Sequence, residues 1–323
     1  MKRTFTLIAL FLACGIFAQA QVIDLTFLGT YRSGVFDDGG TEIVAYSEGS
    51  QRLFSVNAST ATIDMIDLST PGNPTFISAI DLSSYGAAAN SVAAFGPWIA
   101  AAVEANNPQQ DGQVVFFDSV GNFVSQVTVG PLPDMVTWTH DGDYVLVANE
   151  GEPNDDYLVD PEGSISVINV SGGVANVMQS NVATATFTSF NSQQLPPSVR
   201  IFGNNGMATV AEDLEPEYIA VSSDNSTAYV VCQENNALAV VDIANANVTA
   251  ILGLGFKDHS AMGNGFDASN DANLVNIQTW PVFGMYQPDA IDLFNVGGQD
   301  YILSANEGDA RDYDGYSEED RVR

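Results

Sequence analysis

The fold is decided by residues 216–252, which read PEYIAVSSDNSTAYVVCQENNALAVVDIANANVTAIL. Four runs rich in Val, Ile, Tyr and Ala alternate there with polar segments, and they span Tyr218–Ser222, Ala228–Glu234, Leu238–Ile243 and Val248–Leu252. β-Branched and aromatic residues favour strands. The pairs Asp224-Asn225 and Asn235-Asn236 are typical of tight hairpin turns. This stretch therefore predicts a four-stranded antiparallel meander.

The same succession of strands recurs along the chain. Earlier copies begin at Glu42, Ser91 and Met135, and a last copy contains only the runs Ala290–Phe294 and Tyr301–Glu307. A repeat of about 40–50 residues with four strands is the pattern of a β-propeller blade. The chain is therefore predicted to be all-β, a propeller of four-stranded blades. We expect about seven blades in the intact protein and a truncated four to five in this sequence.

Residues 1–20 are predicted to be a signal peptide, and residues 21–323 a propeller domain that is incomplete at its C-terminus. Lys2 and Arg3 precede the short apolar run Thr6–Phe17, and Ala18-Gln19-Ala20 resembles a cleavage site. No apolar run reaches the roughly 18–20 residues of a transmembrane helix. Acylation at Cys14 is the alternative, and either route exports the protein to the periplasm, the cell surface or the extracellular space.

The chain is strongly acidic, with 40 Asp and Glu against 9 Lys and Arg and a formal net charge of −31. A negative field of this size disfavours nucleic acid and anionic membranes as partners. Loss of the signal peptide would leave Cys232 as the only cysteine, which excludes an intramolecular disulfide. Stability must then come from the core or from bound ions.

Acidic residues recur at equivalent strand ends. Second strands end in the segments 103–106, 148–151, 233–236 and 305–308, each of which contains a Glu and at least one Asn. First strands begin with Pro133-Asp134, Pro216-Glu217 and Pro288-Asp289. Equivalent strand ends of a propeller lie on one face, and calcium takes six to eight oxygen ligands. We therefore predict a site for calcium or another divalent cation, with ligands drawn from Glu150, Glu217, Asp289, Glu307, Asp134 and Glu234. The alternative is that each residue caps a turn or bonds to neighbouring backbone.

Two loops resemble each other: residues 148–157 read ANEGEPNDDY and residues 305–314 read ANEGDARDYD. This similarity predicts a pair of acidic loops on the binding face. The predicted ligand-contact residues are Arg311, Lys257, Asn149 and Asn306, because a basic side chain can bind phosphate or carboxylate. A salt bridge to a nearby Asp is the alternative for Arg311.

Several kinds of catalytic site are excluded. The chain has only His140 and His259, too few for a zinc site built from several histidines. It also lacks a Gly-x-Ser-x-Gly elbow, a phosphate loop and a dinucleotide fingerprint. No catalytic residue is assigned, and whether the protein is an enzyme stays open.

The chain resembles the choice-of-anchor I family. The similarity lies in Leu132-Pro133-Asp134-Met135, in the two Asn-Glu-Gly loops, and in residues 213–218, 255–259 and 285–290, and it spans almost the whole mature chain. Residues 216–243 are similar to a YVTN-type, WD40-like propeller repeat. The resemblance implies an exported or cell-surface propeller related to mesenchyme-specific cell-surface glycoproteins, in a longer chain with a C-terminal anchor. Some members carry an alkaline-phosphatase label.

Three alternative functions follow, of which the first is the leading hypothesis. The first is a binding module for an extracellular ligand or surface partner, with an acidic, calcium-bearing face. The second is a metal-dependent phosphoesterase, in which cations on the carboxylates would neutralise the substrate and generate hydroxide. The third is a structural envelope protein without metal, whose acids only keep it soluble.

Overall fold

The alternating apolar residues form four antiparallel sheets of four strands each. The computed structural model describes residues 24–36, 39–269 and 274–320, so the predicted signal peptide lies outside the described residues. The first sheet contains β1 (Val44–Ser47), β2 (Arg52–Asn57), β3 (Thr62–Asp67) and β4 (Thr75–Asp81); the second contains β5 (Ala89–Phe95), β6 (Trp98–Val103), β7 (Asp111–Asp118) and β8 (Phe123–Pro131). The third contains β9 (Pro133–Trp138), β10 (Tyr144–Asn149), β11 (Ser164–Asn169) and β12 (Val182–Thr186); the fourth contains β13 (Pro216–Val221), β14 (Thr227–Cys232), β15 (Ala237–Asp242) and β16 (Asn247–Gly253). The strands of each sheet are paired in chain order, which confirms the all-β prediction.

The remaining elements are short, apart from one long hairpin. Two four-residue helices, α1 (Gly203–Gly206) and α2 (Val210–Asp213), precede the fourth sheet; β17 (Lys257–Asp258), β18 (Phe266–Asp267), β19 (Ile277–Gln278) and β20 (Phe283–Gly284) follow it. Strand β17 pairs with β20, and β18 pairs with β19. The long hairpin contains β21 (Pro288–Val296) and β22 (Gln299–Asn306), and β23 (Asp312–Tyr313) pairs with β24 (Tyr316–Ser317). Within the described part of the chain, no helix has the length and hydrophobicity to span a membrane.

The hairpin turns form where the sequence predicts them. Asn225 and Asn236 take left-handed backbone conformations, with φ of 60° and 49°. Asparagine tolerates this region better than most residues. Each turn brings the following strand back onto its neighbour, which sets the pairing of β13 with β14 and of β14 with β15.

Strand β12 is an element that the sequence pattern did not predict. Its sequence is Val-Ala-Thr-Ala-Thr, and Ala185 is the only buried residue in it. With so little apolar contrast between the two faces, period-two alternation is hard to detect. The strand is specified by its pairing with the well-formed β11 instead.

The apolar core lies in layers between successive sheets. Phe54 and Phe117 belong to the layer between the first and second sheets, and Phe116 and Val145 to the layer between the second and third. Another layer joins the third and fourth sheets, and Ile291 of β21 packs on the fourth. The second and third sheets therefore bury both of their faces against neighbouring sheets, and the fourth packs against the third and against β21.

The first strands of successive sheets lie side by side. Strand β1 contacts β5, β5 contacts β9, β9 contacts β13, and β13 contacts β21. The residues at the beginning of these strands are consequently brought near one another, although they are far apart in sequence. This placement forms the candidate site.

Truncating Phe116 should destabilise the protein strongly. Its side chain is fully buried and meets Trp138 edge-on, with ring centroids 6.0 Å apart. Phe116→Ala should lower the free energy of unfolding by about 3–5 kcal/mol, because it removes apolar contacts and leaves a cavity. Urea denaturation measures this change. As the control, Phe76→Ala alters a ring that is 52% exposed and should change stability by less than about 1 kcal/mol; equal losses from the two variants would contradict the layered core.

Candidate metal centre

A β-bulge recurs near the beginning of the first strand in four sheets. In the pairing of β9 with β10, Pro133 lies opposite Asn149 and Met135 opposite Ala148, which leaves Asp134 as an extra residue. The same interruption leaves Asn90 extra in β5, Glu217 in β13 and Asp289 in β21. A bulge redirects a side chain away from the regular ladder. The repeated bulges therefore present one polar side chain per sheet at equivalent places.

These side chains line a cavity of about 630 Å³ between the first strands. Asn90, Asp134, Glu217 and Asp289 are among its lining residues, together with Glu42 from the segment before β1. We call it the acidic cavity. Its apolar walls come from the same first strands.

Three carboxylates converge beside the acidic cavity, and two of them, Asp134 and Glu217, line it. One oxygen from each of Asp134, Glu150 and Glu217 lies within 4.8 Å of the others, and we call these residues the acidic cluster. Glu150 directly follows β10 and is only 8% exposed. Its backbone N–H donates to the carbonyl of Leu132 at 2.9 Å, which holds it beside the bulged start of β9.

The local environment disfavours the charged form of every member of the acidic cluster. Burial raises the pKa of Asp134 to about 7, and the charge of Glu152 adds to the effect. Burial likewise raises the pKa of Glu217 to about 8, although a hydrogen bond with Glu150 partly opposes the shift. The pKa of Glu150 is raised well above its usual value by burial and then by Asp134. Such a group either retains protons or binds a cation.

The other three predicted metal ligands lie outside the acidic cluster. Burial raises the pKa of Glu234 to about 7, while the charge of Arg311 opposes that shift. Asp289 lines the acidic cavity but is exposed, and Glu307 is exposed and accepts a hydrogen bond from the Gln233 side chain at 3.2 Å. The charges of Asp289 and Glu234 nevertheless raise the pKa of Asp134. They therefore contribute to the negative field around the cluster.

Glu152 is an electrostatic neighbour that the sequence reasoning did not single out. It accepts a hydrogen bond from the Tyr313 hydroxyl at 3.0 Å, and burial raises its pKa. This bond joins the two similar loops, and Tyr157 meets Tyr313 edge-on in the same contact. The signal was present in the loop similarity, because Glu152 and Asp309 occupy matching positions.

The four predicted ligand-contact residues have different surroundings. Arg311 is 2% exposed and is bound by the Glu215 and Asp213 carboxylates, so the salt-bridge alternative describes its contacts. Asn149 is fully buried and donates to Ser164 and Ser166. Lys257 and Asn306 are exposed, on β17 and at the end of β22.

In a chelating buffer, the protein should lose stability as the pH rises from about 5 to about 8. The pKa values of Asp134 and Glu217 in the folded state are near 7 and 8, whereas in the unfolded chain they are about 4. The native state therefore holds more protons than the unfolded state in this window, and the free energy of unfolding falls as the pH rises. Urea denaturation across the window measures the slope.

Glu217→Gln should flatten this slope, because the amide cannot ionise. It should raise the free energy of unfolding near pH 8 by on the order of 1–3 kcal/mol. Glu162→Gln, at an exposed glutamate, is the matched control and should leave the slope unchanged. A metal-free protein that gains stability throughout the window would contradict the buried acidic cluster.

Comparisons with known proteins identify a family and solved structures of remote similarity. A functionally unknown protein from Desulfotomaculum acetoxidans DSM 771 is 13% identical, with a TM-score of 0.44, and the match covers 65% of this chain and 56% of that one. KlHsv2 with loop 6CD replaced by a Gly-Ser linker is 13% identical, with a TM-score of 0.46 and coverage of 84% of this chain and 64% of that one. Kuenenia stuttgartiensis hydrazine synthase is 11% identical, with a TM-score of 0.39 and coverage of 82% of this chain and 83% of that one. The chain thus spans less than two thirds of the length of the first two, and TM-scores this low carry no argument about function. No curated protein matches the sequence.

The family assignment rests on the sequence itself. The choice-of-anchor I domain matches residues 42–323. This range includes all four sheets, the acidic cluster and both similar loops. The protein therefore belongs to the choice-of-anchor I family.

Proposed function

We propose that this protein is an exported β-propeller module whose acidic cavity binds a divalent cation, with calcium as the preferred ion. The face that contains the acidic cavity would then bind an extracellular ligand or surface partner. The observation that carries the proposal is the convergence of three carboxylate oxygens within 4.8 Å. Membership in the choice-of-anchor I family supports an exported location, because this family resembles exported and cell-surface proteins. The strongly negative net charge of −31 accords with a cation-binding role and disfavours nucleic acid.

The arrangement of the sheets supports the propeller. Four successive meanders place their first strands side by side, and a fifth first strand, β21, continues the series beyond β13. Core layers lie between neighbouring sheets, as between the blades of a propeller. In this geometry the first strands line a central channel, and the acidic cavity would be one end of that channel.

The spacing of the acidic cluster suits calcium. Two oxygens on opposite sides of a calcium ion are about 4.6–5.2 Å apart, since each lies about 2.3–2.6 Å from the metal. Oxygens that all lie within 4.8 Å of one another are therefore close enough to share one calcium ion. The side-chain carbonyl of Asn90, the carboxylate of Asp289 and water are the candidates for the remaining ligands.

A bound cation would also resolve the electrostatic problem in the cluster. Without it, the raised pKa values mean that charge on one carboxylate disfavours charge on the next. With it, all three can ionise, and affinity should increase with pH as protons leave. Cation binding thus requires only the metal ligands and no catalytic group.

Calcium should stabilise the wild-type protein near pH 8, and Glu150→Gln should remove the part of this gain that the acidic cluster contributes. A ligand at about 100 times its dissociation constant adds about 2.7 kcal/mol to the free energy of unfolding. The variant loses a charged oxygen ligand, so calcium affinity should fall on the order of tenfold or more. Calorimetric titration gives the affinity, and thermal unfolding with and without calcium gives the stability.

Glu162→Gln serves again as the control and should bind calcium like the wild type. Hydrolysis of p-nitrophenyl phosphate is measured on the same samples. Calcium-linked stability without turnover supports the binding module, while turnover that disappears in Glu150→Gln would favour the phosphoesterase. Indifference of the wild type to calcium in both affinity and stability would overturn the metal centre.

A further inference from the structure

A second group of buried polar side chains lies away from the acidic cluster. Tyr157 and Asp160 belong to the loop between β10 and β11, and Asp213 ends helix α2. Arg311 reaches them from the segment after β22 and binds Asp213 and Glu215. We call this group the Asp160 pocket.

Several atoms of the Asp160 pocket are buried without a hydrogen-bond partner among the described residues. They are both carboxylate oxygens of Asp160, Oδ2 of Asp213, the hydroxyl of Tyr157 and Nη1 of Arg311. Tyr157 is 6% exposed, Asp213 is fully buried and Arg311 is 2% exposed. Buried polar atoms almost always have partners, so this concentration indicates something that the protein chain itself does not supply.

A glycine lets the backbone approach two of these side chains closely. A Cβ placed on Gly203 would lie 2.5 Å from Oδ1 of Asp213 and 2.8 Å from the hydroxyl oxygen of Tyr157. The backbone N–H of Gly203 instead donates to that Oδ1 at 3.1 Å. Oδ1 also receives Arg311 at 3.2 Å, so both of these donors lie on the Oδ1 side and leave Oδ2 free for another group.

The pocket carries more negative than positive charge. Arg311 contributes one positive charge, and the facing carboxylates are Asp160, Asp213 and Glu215. Glu212 adds a further charge near Asp160. Burial raises the pKa of Asp160 to about 7, the charges of Glu212 and Asp213 add to the effect, and the charge of Arg311 only partly opposes it. A water molecule could donate to two oxygens, but it would leave the excess negative charge in place.

We propose that the Asp160 pocket is a second divalent-cation site, in which the Asp160 carboxylate and Oδ2 of Asp213 are the protein ligands and calcium is the fitting ion. The tyrosine hydroxyl and water would complete its coordination. The ion would connect the 154–160 loop to helix α2, and through Arg311 to the segment that carries Tyr313 and Tyr316, whose rings both pack edge-on against Tyr157. This site is independent of the acidic cluster and goes beyond the proposed function.

The test counts calcium ions bound per chain by equilibrium dialysis at saturating calcium near pH 8. The wild type should bind one ion more than Asp160→Asn, an isosteric variant that loses the charge. Asp155→Asn, in the same loop but exposed, is the matched control and should bind as many ions as the wild type. Glu150→Gln should lose only the ion of the acidic cluster. The ion counts of the two variants therefore distinguish the loss of one site from the loss of the other.

Terbium luminescence sensitised by tyrosine provides a second measurement that does not require Asp160→Asn to fold. In Glu150→Gln, terbium bound beside Tyr157 should still give a strong signal, and excess calcium should displace it. Asp160→Asn, if folded, should lose that signal. No sensitised signal in Glu150→Gln, or the same ion count in Asp160→Asn as in the wild type, would overturn the second site and leave a pocket that holds water only.

Discussion

The convergence of carboxylates where water has little access is the constraint on which the rest of this structure depends. Backbone geometry enforces it. A bulge turns Asp134 and Glu217 out of their ladders, and the N–H of Glu150 is held by the Leu132 carbonyl at 2.9 Å. Strand pairing thus fixes the backbone positions from which these side chains project. Their mutual repulsion must therefore be balanced by protons or by a cation.

The buried carboxylate of Glu215 is balanced by an arginine instead of by protons or a cation. Glu215 is 2% exposed, and it would be unstable as an isolated charge. Arg311 approaches it at 2.8 Å and also donates to the Asp213 carbonyl at 2.7 Å. A buried ion pair of this kind contributes little net stability, but the loss of one partner is strongly destabilising. It therefore holds the segment after β22 firmly against helix α2.

Helix α2 shows how a local sequence signal can support such a site. Thr209 and Glu212 cap its first turn reciprocally, with bonds of 3.2 and 2.8 Å between each side chain and the other residue's backbone N–H. The helix ends at Asp213, whose position is thus set by a four-residue signal. The contact of Asp213 with Arg311 spans 98 residues of sequence, and no local signal predicts such a distant partner. Acidic loops and caps are visible in the sequence, while their partners are a property of the fold.

The sequence by itself determined the all-β class, the four-stranded repeat and the repeated acidic residues at strand ends, because these depend on period-two patterning, turn residues and spacing. Strand β12 was not predicted, because its alanines and threonines give little apolar contrast between its two faces. Six acids were candidates for the metal, and only the tertiary structure selected Asp134, Glu150 and Glu217 as those whose oxygens meet. The contacts of Glu152, Asp160 and Asp213 became apparent only in the structure, although the loop similarity already contained Glu152. The physical reason is that burial and distance decide which carboxylates interact, and both arise when strands far apart in sequence pack side by side.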